Sequence, residues 1–397
     1  MRSALLVVHR WFGLATAGFL FVAGLTGALI SWDHELDAAL NPRFYAAPAA
    51  PGVDAAGALR LARELEAAEP ALRVTYLPLG AGPGEALQFS VAARSGDPAE
   101  LGYNQVALDP ASGAVQARRE WGAVSLAREN LLPFLYRLHY SLHIPDVGAL
   151  ELGVLVMGVV GILWTLDAFA ALAVSFPRRA AWRKSFAFRW RRGGFPLLFD
   201  LHRSGGVWLW TLLLVLALTS VSMNLQYEVV RPLIARLSTL TPDPFALRPP
   251  VPATAAPEPR ASREQVLVVA RQGALSRGWR APAGAVFYSP EYALYGVGFF
   301  ESGHDHGDVG LGNPWLYFDA ATGAPAGASV PGEGSAGDIY LQAQFPLHSG
   351  RIAGLGGRIL VSALGLAVAT LSVTGVYVWW RKRPRGELAP RSPHRCA

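Results

Sequence analysis

A single cysteine, Cys396, stands in the 397 residues, which excludes intrachain disulfides, thiolate-held iron–sulfur clusters and covalent C-x-x-C-H haem attachment. Charge is scarce as well: 16% of residues are charged, against about 25% in an ordinary soluble domain. That shortage argues against a soluble enzyme. No dinucleotide-binding or flavin fingerprint appears anywhere, so redox chemistry in this chain would have to draw its electrons from another molecule. Without thiolates, any metal chemistry rests on histidine or oxygen ligands.

Apolar residues are abundant, at 52%. Four stretches, 12–32, 152–176, 207–223 and 352–380, approach the ~20 residues needed to cross a bilayer. The first exceeds the roughly 7–15 apolar residues of a secretory signal and reads as a membrane anchor. The connection between the second and third stretches carries Arg178, Arg179, Arg183, Lys184, Arg189, Arg191 and Arg192 with no acidic residue. By the positive-inside rule this connection is cytoplasmic, and the basic C-terminal tail agrees. Both termini then lie inside, and the chain is expected in a bacterial inner membrane, in contact with lipid. Segment 33–133 holds 8 basic and 13 acidic residues and segment 225–345 holds 8 and 11, so both long segments belong outside, in the periplasm. The net charge of +6 is thus a topology signal and gives nucleic acid no role as a partner.

Each outer segment reads as a small α+β module. A helical pattern (54–69; 262–276) precedes alternating strand-like runs (72–78, 86–93, 105–109; 286–289, 294–300, 315–319). The turn Asp109-Pro110-Ala111-Ser112-Gly113 recurs as Asp319-Ala320-Ala321-Thr322-Gly323, offset 210. His9-Arg10 recurs as His202-Arg203, offset 193, and His143 as His348, offset 205. Three features repeating in one order imply an internal duplication of helix–module–helix. The expected fold is a membrane all-α four-helix bundle with two extracytoplasmic α+β modules. Its segments are membrane helices at 1–33, 133–177, 199–225 and 346–381, modules at 34–132 and 226–345, a basic cytoplasmic loop at 178–198 and a cytoplasmic tail at 382–397.

Five histidines lie at or just inside the ends of the apolar stretches. A lone histidine there is ordinarily an interfacial polar side chain. Here His9 and His202 form an inner layer, and His139, His143 and His348 form an outer one. Each layer offers imidazoles from two different helices, which suits axial ligation of a haem within a bundle, and two layers imply two non-covalent b-type haems. His139 and His143 share a helix face at spacing i, i+4; the repeat offset favours His143 as the outer ligand beside His348, because it aligns His139 with Gln344. Zinc competes less well, since histidine-only zinc sites usually take three ligands or a carboxylate.

With these residues in view, the chain resembles the PepSY-associated transmembrane helix family of bacterial iron-regulated inner-membrane proteins, most nearly the members described as ferric-siderophore reductases of the ferrioxamine reductase type. The resemblance is carried by Val8-His9-Arg10-Trp11-Phe12-Gly13-Leu14 with Leu25-Thr26-Gly27-Ala28-Leu29, by Phe134-Leu135-Tyr136-Arg137-Leu138-His139-Tyr140-Ser141-Leu142-His143, by Asp200-Leu201-His202-Arg203-Ser204-Gly205-Gly206, and by Pro346-Leu347-His348-Ser349-Gly350. It implies four membrane helices carrying two b-type haems, periplasmic PepSY-like modules, and reduction of ferric siderophore iron on the periplasmic side. Because the chain carries no dinucleotide or flavin fingerprint, quinol or a cytoplasmic reductase is the natural electron donor.

Further candidates surround these. Arg10 and Arg203 could hold inner haem propionates, or mark the cytoplasmic boundary. Arg358 could hold an outer propionate, or pair with Glu151. Asp167 suggests a quinol or proton path. In the second module, His304, Asp305 and His306, within the run 303–308, could contact the iron chelate, with His304 and His306 sharing a face if the backbone is extended; a solvated glycine-rich loop is the plainer reading. Tyr288, Tyr292 and Tyr295 could flank a bulky chelate. Two other functions compete with a reductase: a haem-free membrane sensor or regulatory protein of PepSY type, and, more weakly, a permease.

Overall fold

The computed structural model describes residues 2–148, 150–307 and 309–383. Asp308 and most of the tail, with Cys396, lie outside these residues. Among the described residues four helices are long and apolar enough to cross a membrane: α1 (Arg2–Ile30), α5 (Leu152–Ser175), α6 (Gly194–Asn224) and α9 (Gly354–Lys382). A helix satisfies its own backbone in lipid, where no water can. Shorter helices are α2 (Asp33–Leu40), α3 (Ala55–Ala68), α4 (Leu131–Ser141), α7 (Arg263–Ser276) and α8 (Ala336–Ser349).

Helices α1 and α9 meet through small residues. A Cβ on Gly24 would lie 2.6 Å from the Gly365 carbonyl oxygen, and one on Gly365 would lie 2.5 Å from that of Gly24. Close backbone approach of this kind replaces the hydrophobic drive that lipid cannot supply. Helices α5 and α6 are fitted the same way, with Leu225 against Gly158 and Val221 against Gly161.

The strands are β1 (Leu72–Pro78), β2 (Leu87–Ala93), β3 (Gln105–Leu108), β4 (Val115–Arg119), β5 (Ala283–Ser289), β6 (Leu294–Phe299), β7 (Trp315–Asp319) and β8 (Pro325–Ser329). The two helices expected within the modules and six of these strands stand close to the anticipated bounds. β4 and β8, both rich in small or charged residues, carry too weak an alternation to be seen in sequence. Each half supplies one helix and four strands in the same order. The closing turns match in detail: Asp109 accepts from Ala111 N and Ser112 Oγ, Asp319 accepts from Ala321 N and Thr322 Oγ1, and Gly113 and Gly323 have φ of 71° and 73°. Positive φ is what a glycine permits at such a turn.

The two halves build one sheet. Its order is β4-β3-β2-β1-β5-β6-β7-β8, antiparallel throughout, joined where Tyr76, Leu77 and Pro78 pair with Phe287, Val286 and Ala285. Helices α3 and α7 share one core with it, in which Leu61, Phe89, Val106, Val266, Val297 and Phe318 are buried. Asp54 caps α3, and Ser262 with Gln265 forms a capping box on α7. Arg263 of α7 reaches Glu66 of α3 at 2.7 Å. Burial opposes ionisation of Glu66, yet its hydrogen bonds to this guanidinium hold its carboxyl below the usual range.

The helical segment expected at 133–177 is broken. Helix α4 ends on Leu142 in the left-handed conformation (φ 55°), His143 follows at φ 54°, and α5 starts only at Leu152. Similarly α8 ends on Gly350 (φ 75°) before α9. The short helices α4 and α8 therefore enter the bundle from the sheet end.

Candidate functional site

Two pairs of imidazoles meet inside the bundle, one at each end. At the end remote from the sheet, His9 of α1 and His202 of α6 have ring centroids 6.1 Å apart. At the sheet end, His139 of α4 and His348 of α8 are also 6.1 Å apart. Metal–imidazole nitrogen bonds are about 2.0–2.1 Å and the ring centre lies about 1.1 Å beyond the nitrogen, so two imidazoles on opposite sides of one metal have centroids about 6.3 Å apart. Both pairs come within a few tenths of an ångström of that spacing.

Each of the four rings is oriented through Nδ1. His9 Nδ1 meets the Asp167 carboxylate at 2.9 and 3.0 Å. His202 Nδ1 meets the Leu371 carbonyl at 3.0 Å and Thr374 Oγ1 at 3.3 Å. His139 Nδ1 meets the Ala23 carbonyl and Thr26 Oγ1, each at 3.0 Å. His348 Nδ1 lies 2.9 Å from Thr219 Oγ1. With Nδ1 engaged, Nε2 is the nitrogen left for a ligand, and this is the outer-sphere pattern that fixes the tautomer of metal-binding histidines. No group of three or more histidine, cysteine, aspartate or glutamate side chains suited to a metal ion exists among the described residues. These are two-imidazole sites.

Glycines make room for two of the rings. A Cβ on Gly27 would lie 2.9 Å from His139 Cε1, and one on Gly375 would lie 2.8 Å from His202 Cε1. Thr26-Gly27 in α1 and Thr374-Gly375 in α9 thus act alike: the hydroxyl takes Nδ1, and the missing side chain admits the ring.

His143 is not part of either pair. Its ring stacks on Phe134 at 4.6 Å and its Nε2 reaches the Phe134 carbonyl at 2.9 Å. The expected partnership of His143 with His348 is therefore corrected to His139 with His348. The connections that follow the two helices are unequal: ten residues, 142–151, join α4 to α5, whereas four, 350–353, join α8 to α9. No single offset therefore serves short helices and spans alike, and pairing at 205 where the helices stand at 209 misplaces the ring by four residues, about one helical turn. The turn at Asp109 and Asp319, offset 210, was the better guide, since His139 and His348 are offset by 209.

The basic candidates divide. Arg358 donates to the Ser31 carbonyl at 2.9 and 2.6 Å and to Glu35 at 2.8 Å, and lies over the Trp32 ring. Its ion-pair partner is Glu35 and not Glu151, the carboxylate weighed for it beside a propionate. Arg203 is tied to the Lys184 carbonyl and to Asp200, a fully buried carboxylate that Arg189 also holds. Arg10 is exposed. Lys382, exposed at the end of α9, lies 4.2 Å from the Phe199 ring one turn before His202.

A cavity of about 320 Å³ lies between the sheet and the bundle, lined in part by Asp33, Trp121, Tyr136, Asp305, His306 and Arg351. Tyr136 precedes His139 by one helical turn, so the cavity sits beside the sheet-end pair. The segment around His304 is a succession of turns with Gly303 and Gly307 at positive φ, the glycine-rich loop of the plainer reading and not the extended alternative. Asp305 and His306 line the cavity and bond each other at 2.9 Å; His304 is exposed and outside the lining. Asp305 holds His306 above the ordinary imidazole range. Burial opposes ionisation of Asp305, but His306 overcomes it and holds that carboxyl low. Tyr288 and Tyr295 are buried in the sheet core, bonded to the Pro257 and Ala261 carbonyls, and so cannot flank a chelate.

Sequence reasoning missed Thr26, Thr219, Thr374 and Arg351, and gave Asp167 a different role. A signal for two of these was present: seventeen residues separate His9 from Thr26 and His202 from Thr219.

An apolar four-span bundle with a paired-histidine site at each end and a single antiparallel sheet on one side defines a membrane protein of mixed helix and sheet construction. The chain belongs to the family described as PepSY-associated TM region, whose model matches residues 6–382. No curated protein matches it.

Proposed function

We propose that the chain is a di-haem b electron-transfer protein of the bacterial inner membrane that reduces ferric siderophore iron in the periplasm. The observation that carries this is the recurrence of one geometry at both ends of the bundle: two imidazoles, 6.1 Å between centroids, each steered through Nδ1. His9 and His202 would hold the inner haem, and His139 and His348 the outer one. When bound, a bis-imidazole haem supplies one-electron carriage without an open coordination position.

The chain's own residues do the rest. Asp167, Leu371, Thr374, Ala23, Thr26 and Thr219 fix the ring orientations. The apolar helices exclude water from the path between the layers. Asp305, His306 and Arg351 line the space beside the outer pair, where a ferric chelate would approach. The basic loop 178–193 supports a cytoplasmic position for that end of the bundle and a periplasmic one for the sheet, and the matching turns at Asp109 and Asp319 support two halves derived from one duplicated PepSY-like unit. Electrons enter from quinol or a cytoplasmic reductase.

The test is the visible spectrum of the purified protein with quantified haem. Two low-spin b-type haems per chain, reducible by dithionite and reoxidised by a ferric siderophore, support the reading. Protein that folds and inserts without a Soret band overturns it in favour of a haem-free sensor.

A further inference from the structure

Three of the four paired histidines give Nδ1 to neutral acceptors: backbone carbonyls and the hydroxyls of Thr26, Thr219 and Thr374. His9 alone faces a carboxylate. Asp167 is 8% exposed, sits within the membrane-spanning helix α5, and places both oxygens within 3.0 Å of Nδ1. Among the described residues its side chain has no other hydrogen-bond partner. A carboxylate inside a span is costly and is retained where it serves a site.

We propose that Asp167, acting through His9, is a positioning residue that holds the inner redox site at a lower reduction potential than the outer one. The inference rests on the di-haem reading above. A carboxylate accepting from Nδ1–H raises the basicity of Nε2. Its negative charge, in a medium of low dielectric, favours the more positive, oxidised state of whatever redox metal the imidazole holds. The outer pair has no carboxylate on either Nδ1. Cationic groups at the inner end work against the effect, but Asp200 offsets one of the two charges of Arg189 and Arg203, and Arg10, Arg189 and Lys382 are exposed, where solvent screens them. One electron passing outward leaves the inner site oxidised by one and the outer site reduced by one, with no atom transferred. Asp167 therefore biases flow toward the periplasm.

The experiment is a spectropotentiometric titration of the full-length protein in two backgrounds, His348→Ala to isolate the inner haem and His202→Ala to isolate the outer. Asp167→Asn keeps a hydrogen-bond acceptor without the charge, and Asp167→Thr copies the support given to the other three rings. The expected result is a higher inner midpoint in both variants, lowering the inner-to-outer equilibrium constant about tenfold, or about 59 mV for one electron, with the outer midpoint unchanged. An unchanged inner midpoint, an equal shift of both, or loss of the inner haem in both variants overturns the inference while leaving the di-haem reading intact. A wild-type protein without haem overturns both.

Discussion

The imidazole of His139 faces that of His348 across 6.1 Å, although the two belong to short helices more than two hundred residues apart in the chain. Neither helix spans the membrane. Each is tipped into the sheet end of the bundle by a left-handed residue, Leu142 or Gly350, and each ring is caught by a threonine of a spanning helix, Thr26 or Thr219. The outer site is thus assembled from two inserted helices and two spans. The inner site is assembled from spans alone.

Separable sites follow from this construction. His9→Ala or His202→Ala is expected to remove the inner haem and leave the outer, and His139→Ala or His348→Ala to do the reverse. His143→Ala is expected to keep both, because its ring stacks on Phe134 and bonds the Phe134 carbonyl through Nε2, apart from either pair. Haem stoichiometry by pyridine haemochrome on each variant checks this; loss of a haem on changing His143 would show that the loop 142–151 rearranges on binding.

How much of this was legible varies by residue. The inner pair was readable because His9 and His202 sit at equivalent points of continuous helices, where period and offset are preserved. The outer pair was not, because the linkers after α4 and α8 differ by six residues and sequence offset does not register such an insertion. The joining of the two modules was equally hidden: β1 pairs with β5 across two hundred residues, and alternation reveals a strand without revealing its neighbour. Asp167 was noticed for its cost in an apolar helix, but only the fold shows that its partner is His9.

The glycines beneath the rings give a second expectation. Gly27→Ala puts a methyl group 2.9 Å from His139 Cε1, on a ring already pinned by two hydrogen bonds. Overpacking of this kind costs about 1–3 kcal/mol. The outer haem is expected to bind more weakly or with an altered low-spin spectrum, the inner one to be untouched, and Gly375→Ala to show the opposite pattern. Spectra of the two single variants decide it.

Outside the membrane, Arg119 of β4 and Asp37 of α2 form an ion pair at 2.6 Å with both side chains 4% exposed. Asp37 also accepts from Asn41 and Tyr45. Removing one partner strands a buried charge, at a cost of about 3–5 kcal/mol. Asp37→Asn is expected to lower the thermal midpoint of the sheet region sharply, and the double change Asp37→Leu with Arg119→Met to recover much of it. Equal loss in single and double variants would deny the pair its coupling.

The Asp305–His306 contact predicts a pH dependence in the turns over the cavity. His306 is raised above its ordinary value of about 6.5, so its contribution is complete below that pH and is lost as pH rises through the raised value. Asp305 is lowered, so its contribution is complete above the ordinary value of about 3.9 and is lost as pH falls. The turns are expected to be tightest between about pH 4 and 6.5. Both side chains are nearly half exposed, so solvent screening keeps the effect modest. Protection of the amides of residues 303–307 against exchange, taken relative to the base-catalysed intrinsic rate at each pH, should fall from pH 6 to pH 8 in the wild type and stay constant over that range in His306→Gln.

Directional transfer is the most demanding expectation. Seventeen helical residues separate the level of His9 from that of Thr26, which supports His139, and the same number separate His202 from Thr219, which supports His348. At about 1.5 Å per residue the two layers lie about 25 Å apart along the bundle. A single site cannot cover that depth. On the di-haem reading two sites, each with a macrocycle on the order of 10 Å across, would leave an interval that electrons can hop. The cavity of about 320 Å³ lies beside the sheet-end pair, and there the proposed acceptor would meet the chain. In proteoliposomes given a donor on the face of the basic loop, ferrous iron is expected on the opposite face, at a rate that collapses in His139→Ala and His348→Ala and persists in His143→Ala. Iron reduced on the donor's own face, or at an equal rate in His348→Ala, would show that the paired layers do not form the path.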